Sequence, residues 1–229
     1  FMKYVGFTLA EVLITLSIIG IVAAMTLPSV ITNSRNKQLE AGLKKSYSVI
    51  SQALEMYRAE NGEPLKAGES IKIKPILMKY LHIVKDCGTG SFDPSACIPN
   101  YGVDNENNST VYKIFNGKRL MSLQEFDDGQ FVLNDGTLIL LENMVGASSP
   151  LFISVDVNGY NKNPNRLGQD LFMFQIDNEG RLLPMGVEGT KYYNQNGAYC
   201  SASSSDSMNG AGCTYNALND KDYFKNLPK

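Results

Sequence analysis

Residues 6–27 read Gly6-Phe7-Thr8-Leu9-Ala10-Glu11-Val12-Leu13-Ile14-Thr15-Leu16-Ser17-Ile18-Ile19-Gly20-Ile21-Val22-Ala23-Ala24-Met25-Thr26-Leu27, and the rest of the chain is interpreted from them. From Phe7 to Leu27 they form an almost unbroken apolar band with one charge, Glu11. As a helix rising about 1.5 Å per residue, the band spans roughly the 30 Å hydrocarbon core of a bilayer. A carboxylate at mid-membrane costs roughly 2.5–3.5 kcal/mol on insertion scales, so Glu11 needs a reason to be there. Its place near one end lowers that cost by snorkelling but does not remove it.

The remaining residues have the composition of a folded domain. The 229 residues leave room for one domain plus an extended segment, or for two small domains, and 43% hydrophobic content suffices for a packed core. A net charge of −2 and a pI near 5.5 give no basic field, so nucleic acid is not an expected partner. Four cysteines, an even number, suit an oxidising compartment. No CxxC pair is present and His82 is the single histidine, which argues against zinc. The serines between Ser201 and Ser207 have no histidine for a charge relay, so no catalytic constellation emerges and a non-enzyme is expected.

Pro28 follows the band; it cannot donate a helical hydrogen bond and kinks helices. Ser29, Thr32, Asn33, Ser34 and Asn36 are poor helix formers, so a loosened stretch over 28–36 is expected. Leu39, Leu43, Tyr47, Ile50, Leu54 and Tyr57 then recur at helical spacing on one stripe, suited to pack on a sheet, and Asn61-Gly62 supplies the stop. The spacing of Ile76, Leu77, Tyr80, Leu81 and Val84 predicts a short helix over 74–84.

Strands are predicted at 130–133, 137–141, 150–156 and 171–176, with a turn at Asn134-Asp135-Gly136 and another at 177–180 leading into Arg181-Leu182-Leu183. Residues 100–110 read as a polar loop, and Ser122-Leu123-Gln124-Glu125 as a capping box opening one helical turn. From Glu188 to Lys229 periodicity is lost, and a loop is expected. A helix laid on an antiparallel meander of about four strands gives the class α+β.

GFTLAEVLITLSIIGIVAA, residues 6–24, resembles the N-terminal signature of type IV pilins and type II secretion pseudopilins. The signature combines a cleavage site, a lone Glu and a spanning apolar run. The resemblance implies a leader, 1–6, whose basic residue Lys3 lies apart from the Gly rather than beside it. It further implies cutting between Gly6 and Phe7 by a prepilin peptidase and methylation of the new Phe7 amine. Glu11 is then expected to pair with the Phe7 ammonium of a neighbouring subunit, opposite charges attracting strongly where the dielectric is low. Pro28 falls at the family's helix-kink position.

The implied layout is a long helix, 7–61, with a transmembrane and assembly half at 7–27 and an amphipathic half at 28–61. A head, 62–229, follows, its C-terminal loop 188–229 stapled by a disulfide. Such a chain is an inner-membrane precursor that polymerises with pilin-like subunits on an inner-membrane assembly platform into a periplasmic or extracellular filament. The four cysteines allow three connectivities. The local pairs Cys87–Cys97 and Cys200–Cys213, each closing a short loop, are the expected ones. The rival reading is an ordinary secretory signal, with Val22-Ala23-Ala24 as its small-residue cleavage site, releasing a secreted binding protein. A Glu inside the band and a run longer than the usual 7–15 residues count against it.

No cofactor is required by this reading, but calcium has a candidate place in the oxygen-rich segment Asp156 to Asp170. As an EF-hand the segment fails, with Asn161 where Gly is needed and Leu167 where Glu is needed. Asp156, Asn158 and Asp170, with backbone carbonyls, are the candidate ligands. The preferred alternative is a structural loop in which Asp and Asn bond their own backbone.

Overall fold

The computed structural model describes residues 6, 8–66, 72–88, 95–98, 108–123, 125–143 and 150–229. The leader residues 1–5, and Phe7 with its expected cleavage and methylation, lie outside the described residues. The chain divides into two compact units, 1–38 and 39–229.

One helix, α1 (Leu9–Asn61), supplies the first unit and begins the second. Residues 28–36 are helical throughout, so the loosening expected there is not found. Proline removes a single hydrogen bond and the flanking turns keep theirs, while each poor helix former costs at most about 0.7 kcal/mol. The Thr32 hydroxyl also donates back to the Pro28 carbonyl at 2.8 Å.

In the second unit the predicted stripe is buried: Leu39, Leu43, Ile50 and Leu54 join one apolar core, and Tyr47 stacks on Phe174 with ring centroids 5.5 Å apart. That core faces a six-stranded antiparallel sheet in the order β1-β4-β5-β6-β7-β8. Its strands are β1 (Ile83–Asp86), β4 (Gly129–Leu133), β5 (Leu138–Asn143), β6 (Leu151–Asp156), β7 (Leu171–Ile176) and β8 (Leu182–Pro184). The registers Phe131↔Ile139, Leu141↔Ile153 and Ile153↔Phe174 line one face with apolar side chains that meet α1. The β4–β5 turn uses Gly136 at φ 90°, a conformation that any Cβ resists, and Thr137 N donates to Asp135 Oδ1 at 3.0 Å.

The opposite face is covered as well. Leu138, Leu140, Phe152, Leu171 and Met173 form a second core with Tyr112, Ile114, Met121 and Phe126. The last four come from β2 (Asn108–Lys113), β3 (Leu120–Ser122), which pairs with β2 as a separate ribbon, and the residues flanking them. Both disulfides are the local ones, Cys87–Cys97 and Cys200–Cys213.

Four expectations need correcting. The short helix α2 (Ile73–Tyr80) ends early, because Ile83 and the residues after it pair with β4 instead. Of the polar loop expected at 100–110, residues 108–110 belong to β2, their pairing with β3 overriding composition, and 100–107 lie outside the described residues. Ser122 ends β3 rather than capping a helix, and Gln124 lies outside the described residues. The region after Glu188 is no open loop: it contains 3-10 turns at 211–213 and 223–225 and a short helix α3 (Thr214–Asn219).

Met208, Ala211, Cys213, Ala217, Tyr223 and Phe224 of this region are buried, so side-chain packing holds it in place where backbone periodicity is lacking. Gly168, at φ 80°, admits the second disulfide: a Cβ there would meet Cys213 Cβ at 2.9 Å.

Candidate functional site

The most unusual surface is the first half of α1. Between Leu9 and Ile31 the large apolar side chains lie open, Leu9 at 78% and Met25 at 76% exposure. The helix is long and apolar enough to cross a membrane, a test that a signal sequence also passes. Three of its hydroxyl side chains are turned onto the helix itself. Thr15 Oγ1 donates to the Val12 carbonyl at 2.9 Å, Ser17 Oγ to Leu13 at 2.8 Å, and Thr26 Oγ1 to Val22 at 2.9 Å. Hydroxyls so bonded enter hydrocarbon already satisfied.

Glu11 is held locally. Thr8 N and Thr8 Oγ1 both donate to Glu11 Oε2 at 2.8 Å, and Glu11 N donates back to Thr8 Oγ1 at 3.3 Å. This is a reciprocal capping box, which satisfies helix-start donors with no partner molecule. Its sequence signal, Thr8-x-x-Glu11, is present but escapes a reading that treats Glu11 only as a buried charge.

The Asp156–Asp170 segment gathers the three residues predicted as calcium ligands into one loop. Asp156 is fully buried at the end of β6; its carboxylate accepts from the Tyr112 hydroxyl and from Gly159 N at 2.9 Å. Asp170, equally buried, accepts from Asn165 N and Arg166 N, each at 2.7 Å. Asn158 Nδ2 donates to the Lys162 and Asn163 carbonyls. Burial pushes Asp156 up to about 6, while burial and then the Asp156 charge push Asp170 up to about 8. Carboxylate and amide groups here are engaged with the loop's own backbone. Asn158 Oδ1 and Asn165 Oδ1 are buried oxygens without a hydrogen-bond partner.

A second carboxylate group was not foreseen. Asp127 and Asp128 lie just before β4, and Glu142 sits near the end of its neighbour β5. Asp128 N donates to the Leu141 carbonyl at 2.9 Å and Asn143 N to Asp128 Oδ2 at 2.7 Å, which brings the three acids together. One oxygen from each lies within 4.8 Å of the other two. Burial first, then the Asp128 charge, pushes Glu142 up to about 9, and burial raises Asp127 too. A legible signal existed: Glu142 is the one charge in the apolar run from Thr137 to Glu142, and Asp127-Asp128 is an acidic pair before a strand.

His82 is exposed, with its carbonyl accepting from Asn134 N at 3.0 Å. No family model, no curated protein and no solved structure matches this chain.

Proposed function

We infer that this chain is a structural subunit of a type IV pilus or pseudopilus filament, a non-enzyme assembled through the first half of α1. The carrying observation is that half itself: a helix whose large apolar side chains from Leu9 to Ile31 are all open, with its hydroxyls bonded inward and one acid at its start. Such a surface is unstable in water, since burying one Leu or Ile side chain is worth about 1.5–3 kcal/mol. A bilayer covers it before assembly, and the same helices of neighbouring copies cover it afterwards. The second half of α1 is a wall of an α+β head whose C-terminal region is pinned by Cys200–Cys213, a layout consistent with a pilin-like subunit.

In this reading the prepilin peptidase cuts before Phe7 and leaves an ammonium two positions from Leu9, the first residue of α1. Glu11 then has two partners of different kinds, Thr8 of its own chain and the Phe7 amine of the next subunit. The local capping box keeps the carboxylate solvated by donors until that amine arrives.

The test is incorporation. Glu11→Ala is expected to leave the head folded and the precursor in the membrane while filament yield, read by electron microscopy and immunoblot of sheared filaments, falls at least tenfold. Wild-type yield from that variant would remove the pairing role.

A further inference from the structure

We propose that Asp127, Asp128 and Glu142 form a binding site for a hard divalent cation of calcium type. Glu142 stands on β5, and Asp127 and Asp128 lie in the turn that enters β4, where the Gly129–Leu141 register and two hydrogen bonds, Asp128 N to the Leu141 carbonyl at 2.9 Å and Asn143 N to Asp128 Oδ2 at 2.7 Å, hold that turn against β5. Their oxygens lie within 4.8 Å of one another, no further apart than two ligands on opposite sides of an ion at about 2.4 Å each.

A second observation points to a ligand. Glu142 is 7% exposed, and its Oε2 is buried with no donor from outside the acid group; the side chain it meets is the Asp127 carboxyl. The next residue repeats the pattern, for Asn143 Oδ1 is also buried and without a donor. A buried acceptor left empty costs about 1–3 kcal/mol, more when it is charged, and a cation removes that cost.

Among the described residues no lysine or arginine makes an ion pair with any of the three acids. Two lysines come near and both are engaged elsewhere: Lys191 with Glu125 Oε1 at 2.6 Å, and Lys74, whose side chain lies against Gly129, with Asp86 and, at 2.6 Å, with the Gly88 carbonyl. The donors are all oxygen, which suits calcium or magnesium and not zinc or copper. Three carboxylates from one strand and the turn beside it do not supply the small, rigid octahedron that magnesium demands, so calcium is the preferred ion, with water completing its shell. Asp127 is half-buried, which leaves a path from solvent. Bound there, the ion ties the start of β4 to the end of β5. This site is separate from the Asp156–Asp170 loop, where the carboxylates already hold backbone N–H groups.

The experiment uses the full chain in detergent micelles, freed of metal by a chelator, with calcium chloride as titrant and heat of binding as readout. One ion per chain is expected, with Kd in the range of about 10⁻⁵ to 10⁻³ M and magnesium at least tenfold weaker. Asp128→Asn, near the surface and conservative in shape, should weaken calcium at least tenfold while the melting temperature without calcium holds. Glu142→Gln should do the same, and Asp170→Asn should leave Kd within twofold. No binding by the folded wild-type chain, binding unchanged in Asp128→Asn, or binding lost only in Asp170→Asn would each overturn the proposal.

Discussion

The rod and the head solve the same problem in opposite ways. From Leu9 to Ile31 apolar side chains face outward and hydroxyls bond the helix's own carbonyls. From Leu39 onward the apolar stripe faces a sheet, and polar groups such as Asp156, Asp170 and Gln169 are the ones drawn inside. The head carries its own solvent-excluding partner; the rod needs one from outside the chain. Stability of the head and stability of the assembly should therefore respond to different substitutions, although one helix serves both.

The sharpest way to break this contrast is to cut the same side chain in each region. Leu43→Ala removes a fully buried contact and is expected to cost the head about 2–5 kcal/mol, read as a shifted urea midpoint. Leu13→Ala, at a position 56% exposed, should leave that midpoint in place and instead lower retention in membranes and filaments. A head destabilised equally by both would end the distinction.

A comparable effect tests the polar interior of the head. Asp170→Ala strips acceptors from Asn165 N and Arg166 N, and about 1–3 kcal/mol of destabilisation is expected from each donor left unsatisfied. Proteolytic nicking near 160–166 would report the loosened loop.

The pH response follows from the buried acids Asp156, Asp170 and Glu142, the last raised by burial to about 9. Burial raises Asp156 to about 6 and Asp170 to about 8, so between about pH 4 and pH 8 the folded head keeps protons that the unfolded chain has released. The folded state then binds more protons, and its stability falls as pH rises through that window. Urea melts at about pH 5 and pH 8, with chelator present, should show the drop; Asp170→Asn should remove its own share and leave the part carried by Glu142. The smallest effect belongs to the rod: Thr8→Ala removes half of the capping box and should fray the first turn by about 1 kcal/mol, read by faster amide exchange there, with the head midpoint unchanged.

The contrast also explains what could be read from residues alone. Periodicity is local, so the stripe from Leu39 to Leu54 and the runs at 130–133, 138–141, 151–156 and 171–176 gave their elements directly. The same runs were richer than their use: Leu138-Ile139-Leu140-Leu141 is apolar at every position, which signals a sheet covered on both faces. Nothing local identified the cover, because β2 and the region after Glu188 are polar in composition, β3 is only three residues long, and all gain their order from long-range packing and a disulfide. The acids divide similarly. Asp156 and Asp170 are conspicuous in a Gly- and Asn-rich loop, whereas Asp127, Asp128 and Glu142 become neighbours only through the β4–β5 register.

The whole account turns on the fate of the band that starts at Phe7. Mass spectrometry of the N-terminal peptide from protein recovered at the cell surface tests it directly. A peptide beginning with N-methylated Phe7 is predicted. A peptide beginning at Met25, or one still carrying residues 1–6, would contradict it.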